Sequence, residues 1–247
     1  MLIDVNVSFG YWPFQKFQQN ALAKLSKHLT AEGISLALVS LTEAVFYPDS
    51  DVYNKLLFEK LKSYSNLMPL MVLNPSLPNW KETLERYHNL QKAKAIKIFP
   101  NYHNYSLSSA VIDDLIYELA RRKMALVIQM RMEDERNQYS LLKVADVKVK
   151  EIIKLANRFS EIPIIVLCSE SSEAVSLIKN ASNIYVDISF VEFIEMIDDF
   201  NKVVFGSHTP FLYTHSAIMK IRNADVPEKD LNTIMSGNAC RLFKLKV

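Results

Sequence analysis

Eight short runs of β-branched and aliphatic residues, each separated from the next by a longer stretch, constrain this chain more than any other feature. The runs are Leu2–Val5, Ser35–Ser40, Met68–Leu73, Ala95–Ile98, Ala125–Met130, Ile164–Cys168, Ile184–Asp187 and Val203–Phe205. Strands that alternate apolar and polar residues keep one face in water, whereas near-continuous apolar runs belong to parallel strands covered on both faces. The intervening segments Phe17–Thr30, Asp51–Tyr64, Trp80–Gln91, Ser108–Arg122, Lys148–Phe159, Ser172–Asn180 and Val191–Phe200 carry apolar residues three or four apart and are predicted helices. Ser108, with Asp113 nearby, and Ser171, ahead of Ala174, mark helix starts, because short polar side chains accept the free amide protons of a first turn. After the last strand, Ala217–Asn223 and Lys229–Leu242 are predicted to close the ring.

Such an alternation builds either an open doubly wound sheet or a closed barrel. The chain has only four glycines, Gly10, Gly33, Gly206 and Gly237, so neither a GxGxxG fingerprint nor a GxxxxGK phosphate loop is present. Its 247 residues match the roughly 250 that eight strand-helix units need. The expectation is therefore an α/β fold, a single (β/α)8 TIM barrel spanning residues 1–247, with no linker, composition shift or internal repeat.

Charge and composition then narrow the function. With 29 Lys and Arg against 27 Asp and Glu, the net charge of +2 leaves no basic footprint, so nucleic acid is not an expected partner. No apolar run approaches the about 18 residues of a membrane helix, and Met1 to Val7 opens on a strand pattern without a secretory signal. Cys168 and Cys240 form no disulfide framework and no metal-ligand spacing, which agrees with a reducing compartment, and the cytoplasm is the expected location. The expected partner is a small molecule, and the helical exterior leaves room for a homo-oligomer.

In a closed barrel the reactive groups sit at the C-terminal ends of the strands. Those positions hold Asn6 and Ser8 after the first run, Glu43, Asn74, Phe99 and Asn101, then Gln129 and Arg131, Ser169 and Glu170, Asp187 and Ser189, and finally His208. Several strings among them resemble motifs of the amidohydrolase-related family of metal-dependent barrel hydrolases and decarboxylases. Ile3-Asp4-Val5-Asn6-Val7-Ser8-Phe9-Gly10 resembles the family's Asp-x-His-x-His-x-Gly, and Ala95-Ile96-Lys97-Ile98-Phe99-Pro100 its Gly-x-Lys-x-His-Pro. Val203 to Phe211 is similar to the last-strand Gly-Ser-Asp-x-Pro, and Gly237 to Phe243 to the closing Gly-Asn-Ala-x-Arg-Leu-Phe.

The resemblance implies an amidohydrolase-like barrel, but not the family's metal site. The positions that match its ligands carry Asn6, Ser8, Gln129, Ser169 and His208, and amides and hydroxyls are poor ligands for a borderline-soft divalent ion. No cofactor is expected, with a rearranged metal set of His208, Glu170 and Asp187 as the alternative.

His208 is the one imidazole at a predicted strand end and suits a general acid or base; a buried hydrogen-bonded histidine is the bland alternative. Arg131, two residues past Gln129, would point the same way if the strand continues, and its planar fork would clamp a carboxylate or phosphate. Lys97 is either a ligand-facing charge or the ion-pair partner of Asp4 or Glu170. Asn6, Ser8, Gln129, Ser169, Glu170, Trp12 and His103 complete the candidate substrate contacts, with Trp12 covering a ring-shaped ligand or packing on the first helix. Cys168, at the end of an aliphatic strand, reads as a small buried hydrophobe.

Two functions follow. One is a hydrolase, or a decarboxylase or other lyase, on a small anionic or cyclic substrate without the usual metal, using His208 with Arg131 or Lys97. The other is a catalytically inactive barrel that binds a small molecule or serves as a scaffold.

Overall fold

A computed structural model describes residues 1–245, so Lys246 and Val247 of the expected 1–247 domain lie outside the described residues. The strands are β1 (Ile3–Phe9), β2 (Leu36–Leu41), β3 (Leu67–Pro69), β4 (Met71–Val72), β5 (Ala95–Ile98), β6 (Ala125–Gln129), β7 (Ile164–Leu167), β8 (Ile184–Asp187) and β9 (Val203–Val204). All pair in parallel, in the orders β1-β2-β3 and β4-β5-β6-β7-β8-β9. β3 and β4 are two halves of one barrel strand: the first pairs with β2 and the second with β5. Pro69 has no N–H to give the ladder, and the chain resumes at Leu70, whose N–H donates to Val39 O at 2.7 Å. The ring closes where Val5 N–H donates to Phe205 O (3.0 Å) and Ser8 N–H to Thr209 O (2.7 Å). The expected α/β TIM barrel is the observed fold.

Alternation along the central strands builds two apolar layers. Ile96, Ile98, Leu126, Ile128, Ile164 and Val166 pack with the helices, while Ala95, Ala125, Val127, Ile165 and Leu167 form a second cluster. Lys97 and Gln129 share the parity of that second set, which turns polar toward the C-terminal strand ends. Each fully buried aliphatic side chain contributes about 1.5–3 kcal/mol by leaving water, and this scaffold holds the polar groups in place.

Around the barrel run α1 (Leu22–Ala31), α2 (Asp51–Leu61), α3 (Trp80–Asn89), α4 (Ala110–Arg122), α5 (Val149–Arg158) and α6 (Ser171–Asn180), then α7 (Thr214–Asn223), α8 (Glu228–Asn232) and α9 (Asn238–Phe243). The caps of α4 and α6 are Ser109 and Glu170, one residue from the expected Ser108 and Ser171. The helix expected over Val191–Phe200 does not form; only 3-10 turns at Ile194–Met196 and Phe200–Lys202 are present. Its buried residues Val191, Ile194 and Ile197 fall three apart, a spacing that 3-10 turns satisfy as well as an α-helix. Asp199 instead accepts Asn201 N–H, the local bond by which aspartate competes with helix. No helix among the described residues is long and apolar enough to cross a membrane.

Candidate active site

Two non-glycine residues at strand ends hold a left-handed backbone: Cys168 after β7 (φ 64°) and His208 after β9 (φ 57°). This conformation costs energy for side chains with a Cβ and concentrates at functional sites. Here it is held by specific bonds. Asp187 Oδ1, at the end of β8, accepts Cys168 N–H at 2.8 Å, and His208 O accepts Phe211 N–H at 2.9 Å.

The result is a sealed polar cluster centred on the Cys168 sulfur. Asn6 Nδ2 stands 3.3 Å from Sγ, Gln129 Nε2 3.0 Å and Ser189 Oγ 3.5 Å. The amide orientations are fixed from behind, since Asn6 Nδ2 also donates to Asp187 Oδ2 at 2.8 Å and Gln129 Nε2 to Arg131 O. Gly206 gives the cluster its closeness: a Cβ there would stand 2.5 Å from Asp187 Oδ2 and 3.0 Å from Asn6 Cβ. Burial pushes the Cys168 thiol up to about 12 and raises Asp187 as well.

His208 is fully buried and stacks on Phe211, ring centroids 4.9 Å apart at 15°. Both ring nitrogens face oxygen acceptors, Nε2 the Met132 O at 2.7 Å and Nδ1 the Asn6 Oδ1 at 3.4 Å; the one proton of the neutral ring goes to the shorter contact, so Nε2–H donates to Met132 O. Burial lowers its pKa to about 3, so the imidazole is neutral at ordinary pH rather than poised near 6.5. Lys97 is also fully buried. Among the described residues its one hydrogen bond is to Ser40 Oγ at 3.2 Å, and Nζ lies 5.1 Å over the Phe99 ring. The expected ion pair with Asp4 or Glu170 is not formed; among the described residues Lys97 has no salt bridge. Burial lowers its pKa to about 8, against the pull of Cys168 and Asp187. Asp4 lies near the β1–β9 seam, accepting the N–H groups of Asn6 and Ser207 at 3.0 Å each, and burial raises it to about 7.

Arg131 does not offer a free fork. β6 ends at Gln129, so the alternation that would aim Arg131 inward stops before it. Its Nη1 and Nη2 hold both Glu173 oxygens at 2.8 Å, Nε holds Asp146 Oδ2 at 2.8 Å, and Nη1 also donates to Cys168 O at 2.6 Å. Burial opposes the guanidinium charge, but Glu173 and Asp146 hold its pKa above the ordinary value. Arg131 is thus a clamp on the Cys168 turn.

The other expected contacts scatter. Ser8 and Ser169 are buried, and among the described residues Ser169 Oγ has no partner. Glu170 is exposed and caps α6 in a reciprocal pair with Glu173. Trp12 is buried in an aromatic cluster with Phe14, Phe46 and Phe211. His103 Nε2 bonds Ala44 O at 3.0 Å, and burial lowers its pKa.

Above the cluster lies an open cleft of about 690 Å³ whose lining includes Phe14, Glu133, Tyr139, Ser189, Phe190 and Lys220. Phe14 and Tyr139 stack at 5.2 Å. Lys220 Nζ donates to Ile188 O (3.0 Å) and Ser189 O (2.8 Å), and burial lowers its pKa. Ser189 joins the two regions, lining the cleft while touching the Cys168 sulfur. Sequence reasoning missed Cys168 as the centre, and Lys220 as well. The left-handed turn at Cys168 has no sequence signal, and Lys220 sits on α7, far from any strand end.

The residues present do not fit the divalent metal that the family resemblance implies. Asn6 and Gln129 present N–H groups to the centre and Lys97 an ammonium, where a cation needs lone pairs. Among the described residues no group of three or more His, Cys, Asp or Glu converges to hold a metal. The alternative set of His208, Glu170 and Asp187 fails because Glu170 is turned out onto the start of α6.

No protein-family model matches the chain, and no curated protein sequence matches it. Solved structures do. A 5-carboxyvanillate decarboxylase from Novosphingobium aromaticivorans, complexed with manganese and 4-hydroxy-3-methoxy-5-nitrobenzoic acid, superposes with TM-score 0.79 at 14% identity, covering 99% of this chain and 96% of its own. A dihydroxybenzoic acid decarboxylase from a Polaromonas species, with bound manganese and 2-nitroresorcinol, gives 0.75 at 15% identity over 99% and 97%. An uncharacterised TIM-barrel protein from Bordetella bronchiseptica gives 0.75 at 10% identity over 98% of each chain. The shared property is the fold.

Proposed function

We propose that this chain is a barrel enzyme of the hydrolase or decarboxylase kind, acting without a metal on a small, ring-shaped or otherwise compact anion in a reducing compartment such as the cytoplasm. One observation carries the reading: an aromatic-lined cleft at the C-terminal strand ends shares Ser189 with a buried set of ionisable groups shifted by burial. Open pockets with a few convergent polar groups and perturbed pKa values are the usual setting of catalysis. In this reading Phe190 and Phe211 flank the substrate, Lys220 and Ser189 hold its anionic group, and Lys97 and His208 stand beneath as reacting groups. Fold neighbours that are decarboxylases of aromatic acids support this substrate class.

A second reading, ligand binding without turnover, draws on the closure of the cluster. His208 and Lys97 are fully buried, with Phe211 stacked on the imidazole. Both readings are tested by chelator-treated protein with 2,6-dihydroxybenzoate, 5-carboxyvanillate and non-aromatic oxo acids, followed by thermal shift and CO2 release. Ligand at about a hundred times Kd stabilises the fold by roughly 2.7 kcal/mol. We expect such a shift, its loss in Lys220→Met, and CO2 release that survives chelation. Stabilisation without any turnover selects the binding protein, and no shift with any acid removes both readings.

A further inference from the structure

Lys97 is out of place as a simple anion holder. A buried ammonium normally takes a carboxylate partner, because an unpaired charge out of water is costly. Lys97 has instead one neutral hydroxyl, Ser40 Oγ at 3.2 Å, and the face of Phe99. It stands at the polar end of β5 inside the barrel, and its ionisable neighbours are Cys168 after β7, Asp187 on β8 and His208 after β9. A desolvated lysine without a counter-ion is the form in which an amine serves as a nucleophile toward carbonyl carbon.

We infer that Lys97 is an imine-forming lysine and that the substrate class of this barrel is a small β-oxo acid. The inference rests on the decarboxylase form of the function proposed above. The neutral amine adds to the ketone carbon to give a carbinolamine, which takes up one proton and loses water to leave an iminium. The electron pair of the C–CO2 bond moves into the iminium as CO2 departs, forming a neutral enamine. Protonation at carbon and addition of water release the ketone and return the amine, so no oxidant, reductant or metal is consumed. Phe99, which faces the ammonium now, would face the iminium cation. Burial, which lowers the Lys97 pKa to about 8, keeps far more of this amine neutral near pH 7.5 than a lysine side chain free in water.

The test is trapping with sodium borohydride in the presence of acetoacetate, followed by peptide mass mapping of the wild-type chain. Using the wild type makes the result independent of whether any variant folds. The expected product is one isopropyl group on Lys97, at an occupancy at least about tenfold above Lys55, and its absence from Lys97→Met. An adduct on Lys97 that retains its carboxyl upholds the imine and removes the decarboxylase reading. CO2 release from acetoacetate with labelling at Lys97 no higher than at Lys55 overturns the imine while leaving the decarboxylase reading in place. Neither CO2 release nor selective labelling overturns the inference as well.

Discussion

The barrel centre and the mouth above it are built in opposite ways. At the centre polar groups fix one another's positions: Asp187 sets both the Cys168 backbone and the Asn6 amide, and Arg131 sets the Cys168 carbonyl and, through its own carbonyl, Gln129. At the mouth, Phe14 and Tyr139 are partly exposed and held by stacking on each other. A sealed network fixes geometry and shifts proton affinities, while an open aromatic rim accommodates ligand shape. Ser189 joins the two.

The contrast breaks if the centre proves tolerant. Arg131→Ala strips partners from Glu173, Asp146 and the Cys168 carbonyl, and is expected to cost about 2–4 kcal/mol, the figure for a broken buried pair reduced because both carboxylates are partly exposed. Denaturant midpoints check it, and a loss under 1 kcal/mol would make the clamp dispensable. Asp4 sharpens the same point through pH. Its folded pKa of about 7 lies above the ordinary 3.8, so its contribution is fully present below about pH 4 and is lost as pH rises through 7. Asp4→Asn should therefore gain on the wild type between pH 5 and 8 by about 2–3 kcal/mol; a pH-independent difference in melting temperature would place the charge elsewhere. The smallest effect belongs to the rim. Tyr139→Ala removes a half-exposed ring stacked on Phe14 and should cost less than about 1 kcal/mol in the same denaturation experiment while weakening acid binding in the cleft.

Asn6, Gln129 and His208 were legible in the sequence because each lies at or just past the end of an aliphatic run, and Lys97 because it is the one basic residue inside such a run; the barrel brings these positions together. Their roles were less legible. Arg131 reads as a free fork only if β6 continues two residues further, and Cys168 reads as filler until Asn6 and Gln129, 162 and 39 residues away, are seen to meet its sulfur. The stretch Val191–Phe200 has apolar spacing that 3-10 turns satisfy equally, so periodicity does not separate the two.

By itself the sequence determined the eight-strand alternation, the parallel sheet and the barrel, because hydrophobic period is a local property and burial on both faces leaves few ways to satisfy it. Only the tertiary structure decided which polar groups face one another, which charges are already paired and which buried lysine has no carboxylate partner among the described residues. Those depend on distances between residues far apart in the chain, and a desolvated charge has no counterpart in any local pattern.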